Sequence, residues 1–122
     1  MVLVSLDLVF WRGADDRDPM AVCRALLDEV TVDDVERVCE KDVLDACRRW
    51  LVGWKQDRNM WTYQPDADGN GPAADLWIGP QVVLFSCYGL AGPQLNMIID
   101  AMHSLHYPLF DPQIGERFTT PG

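Results

Sequence analysis

The chain of 122 residues is 48% apolar and 24% charged, a mixture typical of one folded domain, which we expect to span residues 1–122. Its 19 acidic and 10 basic residues give a net charge of −9. That charge disfavours nucleic acid and anionic membranes as partners, because both are negatively charged, and it favours a basic protein.

The termini and the cysteines indicate the compartment of the protein and the state of its thiols. The opening residues are mostly apolar but too few to cross a bilayer, and no basic segment precedes them, so we expect a cytoplasmic protein without a targeting signal. Residues 119–122 should form a loose tail. The cysteines occupy positions of apolar periodicity and form no CxxC motif, which favours buried, reduced thiols at Cys23, Cys39, Cys47 and Cys87.

The first half of the chain predicts one strand and two helices. Val2–Trp11 alternates between an apolar and a mixed face, as a half-buried strand does. Asp18 and Pro19 are a helix cap and a first helical residue, and this helix should end near Val30. Thr31 is a second cap. From there an apolar stripe predicts a long second helix through Val35, Val38, Cys39, Val43, Cys47, Trp50, Leu51 and Trp54.

The second half predicts strands around a third helix. Residues 81–88 are apolar on both faces, so this strand should be central, with a short strand at 75–78 beside it. A third helix opens at Gly92, and a last strand begins at Leu109 after a proline that blocks the helix. Residues 60–63 form at most a short extended piece.

This order of elements predicts an α+β fold. Two crossover units that share one antiparallel sheet give the ferredoxin-like, split βαβ arrangement, here with four strands, helices on one face and one inserted helix. The other face should be open. Leu3, Val9 and Trp11 would make that face a contact surface, through which a homodimer is one option.

One loop matches the first half of a calcium site, because oxygen ligands stand at its first, third and fifth positions: Asp66, Asp68 and Asn70. The twelfth position is Trp77, where a bidentate glutamate is needed. A polar turn is therefore the favoured interpretation.

The only two histidines, His103 and His106, follow Asp100 on the third helix. Such a stripe can bind zinc, but a structural role is favoured because His106 lies at the helix end. Gly-x-Ser-x-Gly, P-loop and GxGxxG motifs are absent. We expect no catalytic residue, no metal and no cofactor.

The acidic charge is concentrated between Asp15 and Asp45, where eleven of the 19 acidic residues lie. A solvated helix face and a docking surface for a basic protein explain this equally well. Among the tryptophans, core packing is the simpler role, but Trp54 and Trp61 are candidates for exposed anchors. The candidate partner-binding residues are thus Asp33, Asp34, Glu36, Glu40, Trp54 and Trp61.

The segment MIIDAMHSLHYPLFDPQIGERF contains Phe110-Asp111-Pro112-Gln113 and Gly115. It resembles the signature "hydrophobic-x-YDPQ-x-G" of a family of small bacterial proteins, and Val4–Trp11 is similar to that family's first strand. Members of this family look like the immunity proteins of bacterial polymorphic toxin systems, which block a cognate toxin by binding it. Phe110 replaces the signature tyrosine, and residues 50–77 do not follow the family pattern.

The resemblance and the charge together predict a protein-binding inhibitor rather than an enzyme. It would be an immunity protein that occludes a basic toxin, with acids such as Asp33, Glu36 and Glu40 steering the encounter and an aromatic anchor slowing dissociation. The alternative is a small-ligand-binding protein or enzyme with a pocket near residues 64–76.

Overall fold

The computed structural model of the chain describes residues 5–63 and 72–118, which form an α+β fold of three helices and one open antiparallel sheet. The helices are α1 (Pro19–Leu27), α2 (Glu40–Trp50) and α3 (Gly92–His103). The strands are β1 (Ser5–Phe10), β2 (Trp54–Asp57), β3 (Met60–Tyr63), β4 (Ala73–Ile78), β5 (Val83–Tyr88), β6 (Leu109–Asp111) and β7 (Glu116–Phe118).

The sheet has seven strands in the order β2-β3-β4-β5-β1-β6-β7, so the expectation of four strands is wrong. The strand β1 lies between β5 and β6, where Val9 faces Leu84 on one side and Phe110 on the other. The additional strands come from two antiparallel pairs. The pair β2–β3 extends one edge, and β7 folds back on β6 to extend the other.

The helices cover both faces of the sheet, which corrects the expectation that they lie on one. Side chains alternate along a strand, and Leu8 and Phe10 of β1 pack in a cluster with α2 and α3. Val9 and Trp11 point the other way and pack with α1. Both are fully buried, so they do not form the predicted open contact surface. Leu3 lies outside the described residues.

Residues 31–39, predicted as the first part of the second helix, instead form an irregular connection before α2. Their backbone groups form hydrogen bonds with residues far away in the sequence. The N–H of Glu36 donates to the carbonyl of Arg12 at 2.9 Å, and the N–H of Val38 donates to the carbonyl of Pro80 at 2.8 Å. β-Branched residues are common in this stretch and have low helix propensity. Tertiary hydrogen bonds therefore replace the helix that the apolar stripe predicted.

Candidate protein-binding surface

The acidic connection, residues 28–39 between α1 and α2 together with the first residue of α2, presents all of its carboxylates to solvent: Asp28, Glu29, Asp33, Asp34, Glu36 and Glu40. Arg37 is the only base within it. The four acids predicted to bind a partner therefore lie exposed in one segment of chain. This is the geometry that a docking surface requires, although exposure alone also fits a solvated surface.

Two of these acids are already paired within the protein. Asp34 forms an ion pair with Arg17 at 3.1 Å, and Glu36 with Arg12 at 3.6 Å. All four side chains are substantially exposed, so these pairs contribute little to stability. Asp33 and Glu40 lie in no ion pair with another described residue.

Gln81 holds the acidic connection in place. Its side-chain Oε1 accepts the N–H of Val32 at 2.9 Å, and its Nε2 donates to the carbonyls of Val32 at 2.7 Å and Val35 at 2.8 Å. Gln81 is 8% exposed and is the one buried polar residue of the described ranges. A single amide thus satisfies three backbone groups of a loop that has no regular helix or strand hydrogen bonds. Sequence reasoning placed Gln81 in a strand and missed this role.

The start of the acidic connection is strained. The N–H of Glu29 donates to the carbonyl of Leu26, and the N–H of Val30 donates to the carbonyl of Ala25. These are the two hydrogen bonds of a Schellman motif at the end of α1. This motif needs a left-handed residue, and Glu29 supplies it with φ of +60° where glycine is usual. Asp28 and Glu29 also place negative charge at the helix C-terminus, which is unfavourable there. These two acids therefore weaken the fold locally.

The predicted aromatic anchors do not have the expected exposure. Trp61 is 2% exposed and lies in the core with Phe85 and Ile98, so it is not an exposed anchor. Trp54 is half-buried, stacks edge-on against Tyr63 at 5.5 Å, and its indole N–H contacts the sulfur of Met97. Both residues lie on strands, where the neighbours in sequence do not determine which face a side chain points to.

Trp50, which the apolar stripe assigned to the core, is instead 43% exposed. It ends α2 and lines a groove of about 450 Å³ between α2 and residues 104–105. Asp42 and Ala46 line the same groove, with Asp45 and Arg49 beside them. Within the described residues, Trp50 is the tryptophan whose exposure fits an anchor role.

The Asp111-Pro112-Gln113 motif is hydrogen-bonded to the backbone of β1 through the side chain of Gln113. Gln113 Oε1 accepts the N–H of Asp7 at 2.9 Å, and its Nε2 donates to the carbonyl of Asp7 at 3.0 Å. It also donates to Asp111 Oδ1, which accepts the N–H of Gln113 as well. The glutamine amide thus replaces a neighbouring strand along β1, beyond the point where β6 ends. Phe110, at the tyrosine position of the signature, is fully buried against Trp11.

The cysteines divide into three buried thiols and one exposed thiol. Burial raises the pKa of Cys23 to about 11 and those of Cys47 and Cys87 to about 12, so these thiols stay protonated at neutral pH. Cys39 is exposed, contrary to the apolar stripe that placed it in the core. It directly precedes α2, where the predicted longer helix would have buried it.

Among residues 5–63 and 72–118, no group of three His, Cys, Asp or Glu side chains lies close enough to hold a metal ion. His103 and His106 are both exposed, and His106 adopts a positive φ of 64° after α3. The calcium-like residues Asp66, Asp68 and Asn70 lie outside the described residues. So does most of the loop near which a ligand pocket was expected.

Part of the sheet face that carries α1 is open. Met60 on β3 and Tyr88 at the end of β5 are 38% and 39% exposed, and neither belongs to the cluster that α1 covers. The expected homodimer, if it forms through this face, would use these residues. It stays a prediction.

The chain was compared with protein-family models, curated proteins and solved structures, and none of the three comparisons found a match. The resemblance to immunity proteins therefore remains an expectation that comes from the short C-terminal motif and the first strand. In the described part of the chain, every helix is too short or too polar to cross a membrane.

Proposed function

We propose that this protein is a protein-binding inhibitor, most concretely an immunity protein that neutralises a basic bacterial toxin by occluding it. The observation that carries the proposal is the acidic connection: six exposed acids against one base, in a segment held by buried hydrogen bonds of Gln81. The net charge of the whole chain, −9, has the same sign.

Two physical arguments support this function. Clustered negative charge accelerates encounter with a basic surface and orients it, an effect that weakens as salt screens the charges. A loop that is already ordered loses little conformational entropy when it binds, so more of the contact energy is available for affinity. The positive φ and the negative charge of Glu29 do not stabilise the fold, which is consistent with a role of this residue in binding.

We further propose that the central strands are a ferredoxin-like core. Their order β4-β5-β1-β6, with antiparallel neighbours throughout, is the order of a split βαβ sheet. In this view α2 and α3 are the crossover helices on one face. The helix α1, the strands β2 and β3, and the edge strand β7 are additions.

The first experiment is affinity capture of the tagged protein from its own host, with the products of adjacent genes included, at low and high salt. We expect one stoichiometric basic protein whose recovery falls as salt rises. Growth of cells that express the captured protein, with and without this chain, then tests inhibition directly. A captured protein that is harmless when expressed alone contradicts the toxin part of the proposal.

Charge reversal tests the surface. Asp33→Lys, Glu36→Lys and Glu40→Lys combined should slow association with the captured protein and flatten its salt dependence. The matched control reverses three exposed acids on other surfaces, Asp57, Asp100 and Glu116, and therefore has the same net charge. Equal effects of the two triple variants would show that only the net charge matters and would overturn the acidic connection as the docking site.

A further inference from the structure

The groove along α2 has a regular composition. Asp42, Ala46 and Trp50 follow one another at four-residue spacing, so their side chains lie in a row on one face of the helix. Ala46 is 6% exposed and forms a low floor between two taller side chains. Because side chains in a helix lean toward its N-terminus, Trp50 leans toward Ala46 and borders the groove. Leu105, after α3, lines the same groove.

We propose that this groove is a socket for an arginine side chain of the basic partner, an inference that rests on the function proposed above. A guanidinium can stack on the exposed indole of Trp50 and pair with the carboxylate of Asp42. The aliphatic stem of the arginine would lie on Ala46 and Leu105, as such stems do on apolar surfaces. Tryptophan and arginine are also the residues that most often dominate the energy of interfaces.

The charges in the groove favour Asp42 as the partner of the incoming cation. Asp45 already accepts a hydrogen bond from Lys41 at 2.8 Å and lies 3.7 Å from Arg48. Asp42 makes no ion pair with any described residue. Arg49 lines the groove and repels a cation, so Arg49→Ala should strengthen binding of an arginine about two- to threefold.

The socket can be tested without the partner. Acetyl-Gly-Arg-Gly-amide is titrated into the isotope-labelled protein, with acetyl-Gly-Gln-Gly-amide at equal ionic strength as the control, and nuclear magnetic resonance spectra are recorded. We expect saturable shifts of the indole N–H of Trp50 and the amide of Ala46 with the arginine peptide alone. Trp50→Phe assigns the indole signal. Absence of these shifts, or equal shifts with both peptides, would overturn the socket.

Variants of the groove separate shape from charge. Asp42→Asn keeps the shape and should weaken the arginine peptide several-fold, while Ala46→Leu fills the floor and should abolish the shifts. If the shifts persist unchanged in both variants, the peptide binds elsewhere and the inference is wrong.

The captured partner then tests the socket separately from the proposed function. Trp50→Ala should lower affinity about thirty-fold, mainly through faster dissociation. Phe118→Ala is the matched control, because Phe118 is an aromatic residue of similar exposure on the edge strand β7 and does not line the groove. Loss of affinity in the acidic-connection variant but not in Trp50→Ala would reject the socket and leave the function standing. No loss in either would reject both the socket and the acidic connection as contact sites, whereas the function itself is rejected only if the captured partner is harmless or is not inhibited.

Discussion

Two glutamine side chains each hold a loop of this protein by hydrogen bonds to backbone groups, and one of the two is buried while the other is exposed. Gln81 is 8% exposed and bonds Val32 and Val35 of the acidic connection, whereas Gln113 is exposed and bonds Asp7 of β1. Each amide uses its oxygen and its nitrogen on backbone groups. Water can replace the bonds of Gln113, but it reaches those of Gln81 only if the loop opens.

Membership of a sequence motif does not indicate how much a glutamine stabilises the fold. Gln113 belongs to a recognisable motif, and Gln81 belongs to none. Burial nevertheless makes Gln81 the stronger of the two, because unsatisfied buried groups are costly while exposed ones are hydrated.

Gln81→Ala should lower the free energy of unfolding by about 3 kcal/mol, because three backbone groups lose their partner in a buried site. Urea denaturation followed by circular dichroism measures the change. Gln81→Glu is the control for size: it keeps an acceptor for Val32 but loses both donors, and it should be as destabilising as the alanine variant. A loss below about 1 kcal/mol in both would show that this amide does not hold the loop.

Gln113→Ala should cost about 1 kcal/mol, the usual value for exposed hydrogen bonds of this kind. The effect should be local, with faster amide hydrogen exchange at Asp7 and in residues 111–115. Gln94→Ala serves as a reference, because Gln94 accepts one backbone N–H at the start of α3. A loss that equals that of Gln81→Ala would contradict the role assigned to burial.

Glu29→Gly should stabilise the protein by about 0.5–1 kcal/mol. Glycine adopts the left-handed conformation without strain, and the change removes a negative charge from the end of α1. Thermal unfolding measures the gain. Combined with Gln81→Ala it should recover part of the lost stability, since both changes act on the acidic connection. The control Glu40→Gly, at the N-terminus of α2, should instead destabilise.

Thiol labelling should distinguish the contacts of Gln81 from those of Gln113 by the accessibility of the buried cysteines. In the native protein at pH 8, iodoacetamide should modify Cys39 and leave the three buried thiols intact. Gln81→Ala should accelerate labelling of Cys23, which packs with Val32 and Val35, more than that of Cys47. Gln113→Ala should leave Cys23 unchanged. Mass spectrometry of tryptic peptides reports each site.

The same thiols set an alkaline limit to stability. Unfolded cysteines titrate near the ordinary pKa of 9.0, whereas the folded values are about 11 for Cys23 and about 12 for Cys47 and Cys87. Between these pH values the unfolded state binds fewer protons than the folded state, so stability falls as pH rises above about 9. Replacing Cys23 by alanine should remove part of this dependence. An equally steep decline in that variant would assign it to other groups.

Much of the fold follows from local patterns. Alternation located β1, and the apolar run at residues 81–88 located β5 at the centre of the sheet. Turn and cap residues located α1 and α3. The strand β7 was missed because Arg117 is an inward-facing charge there: it is bonded to Asp15 and to the carbonyls of Gly13 and Trp11, and no sequence pattern announces such a contact.

The candidate site was less predictable. The acids of the connection were located by composition alone, because charge runs are usually exposed. Trp50 and Trp61 were both assigned wrongly: Trp50 follows the apolar stripe but is the last residue of α2 and is exposed, and Trp61 is a strand residue that points into the core. The start of that helix depends on Gln81, more than forty residues away. Such long-range hydrogen bonds leave no periodic signal.

The position of β1 in the sheet has a consequence for synthesis in the cell. Phe10 pairs with Leu109, so roughly 100 residues must be added to the chain before that pairing can form. At about 5–20 residues per second this takes on the order of 5–20 s. Until Val83–Tyr88 of β5 is made, β1, which is apolar on both faces near its end, has neither neighbour, and until β6 is made it has only β5. The unpaired edges of this strand are therefore most open to aggregation before the last third of the chain is made.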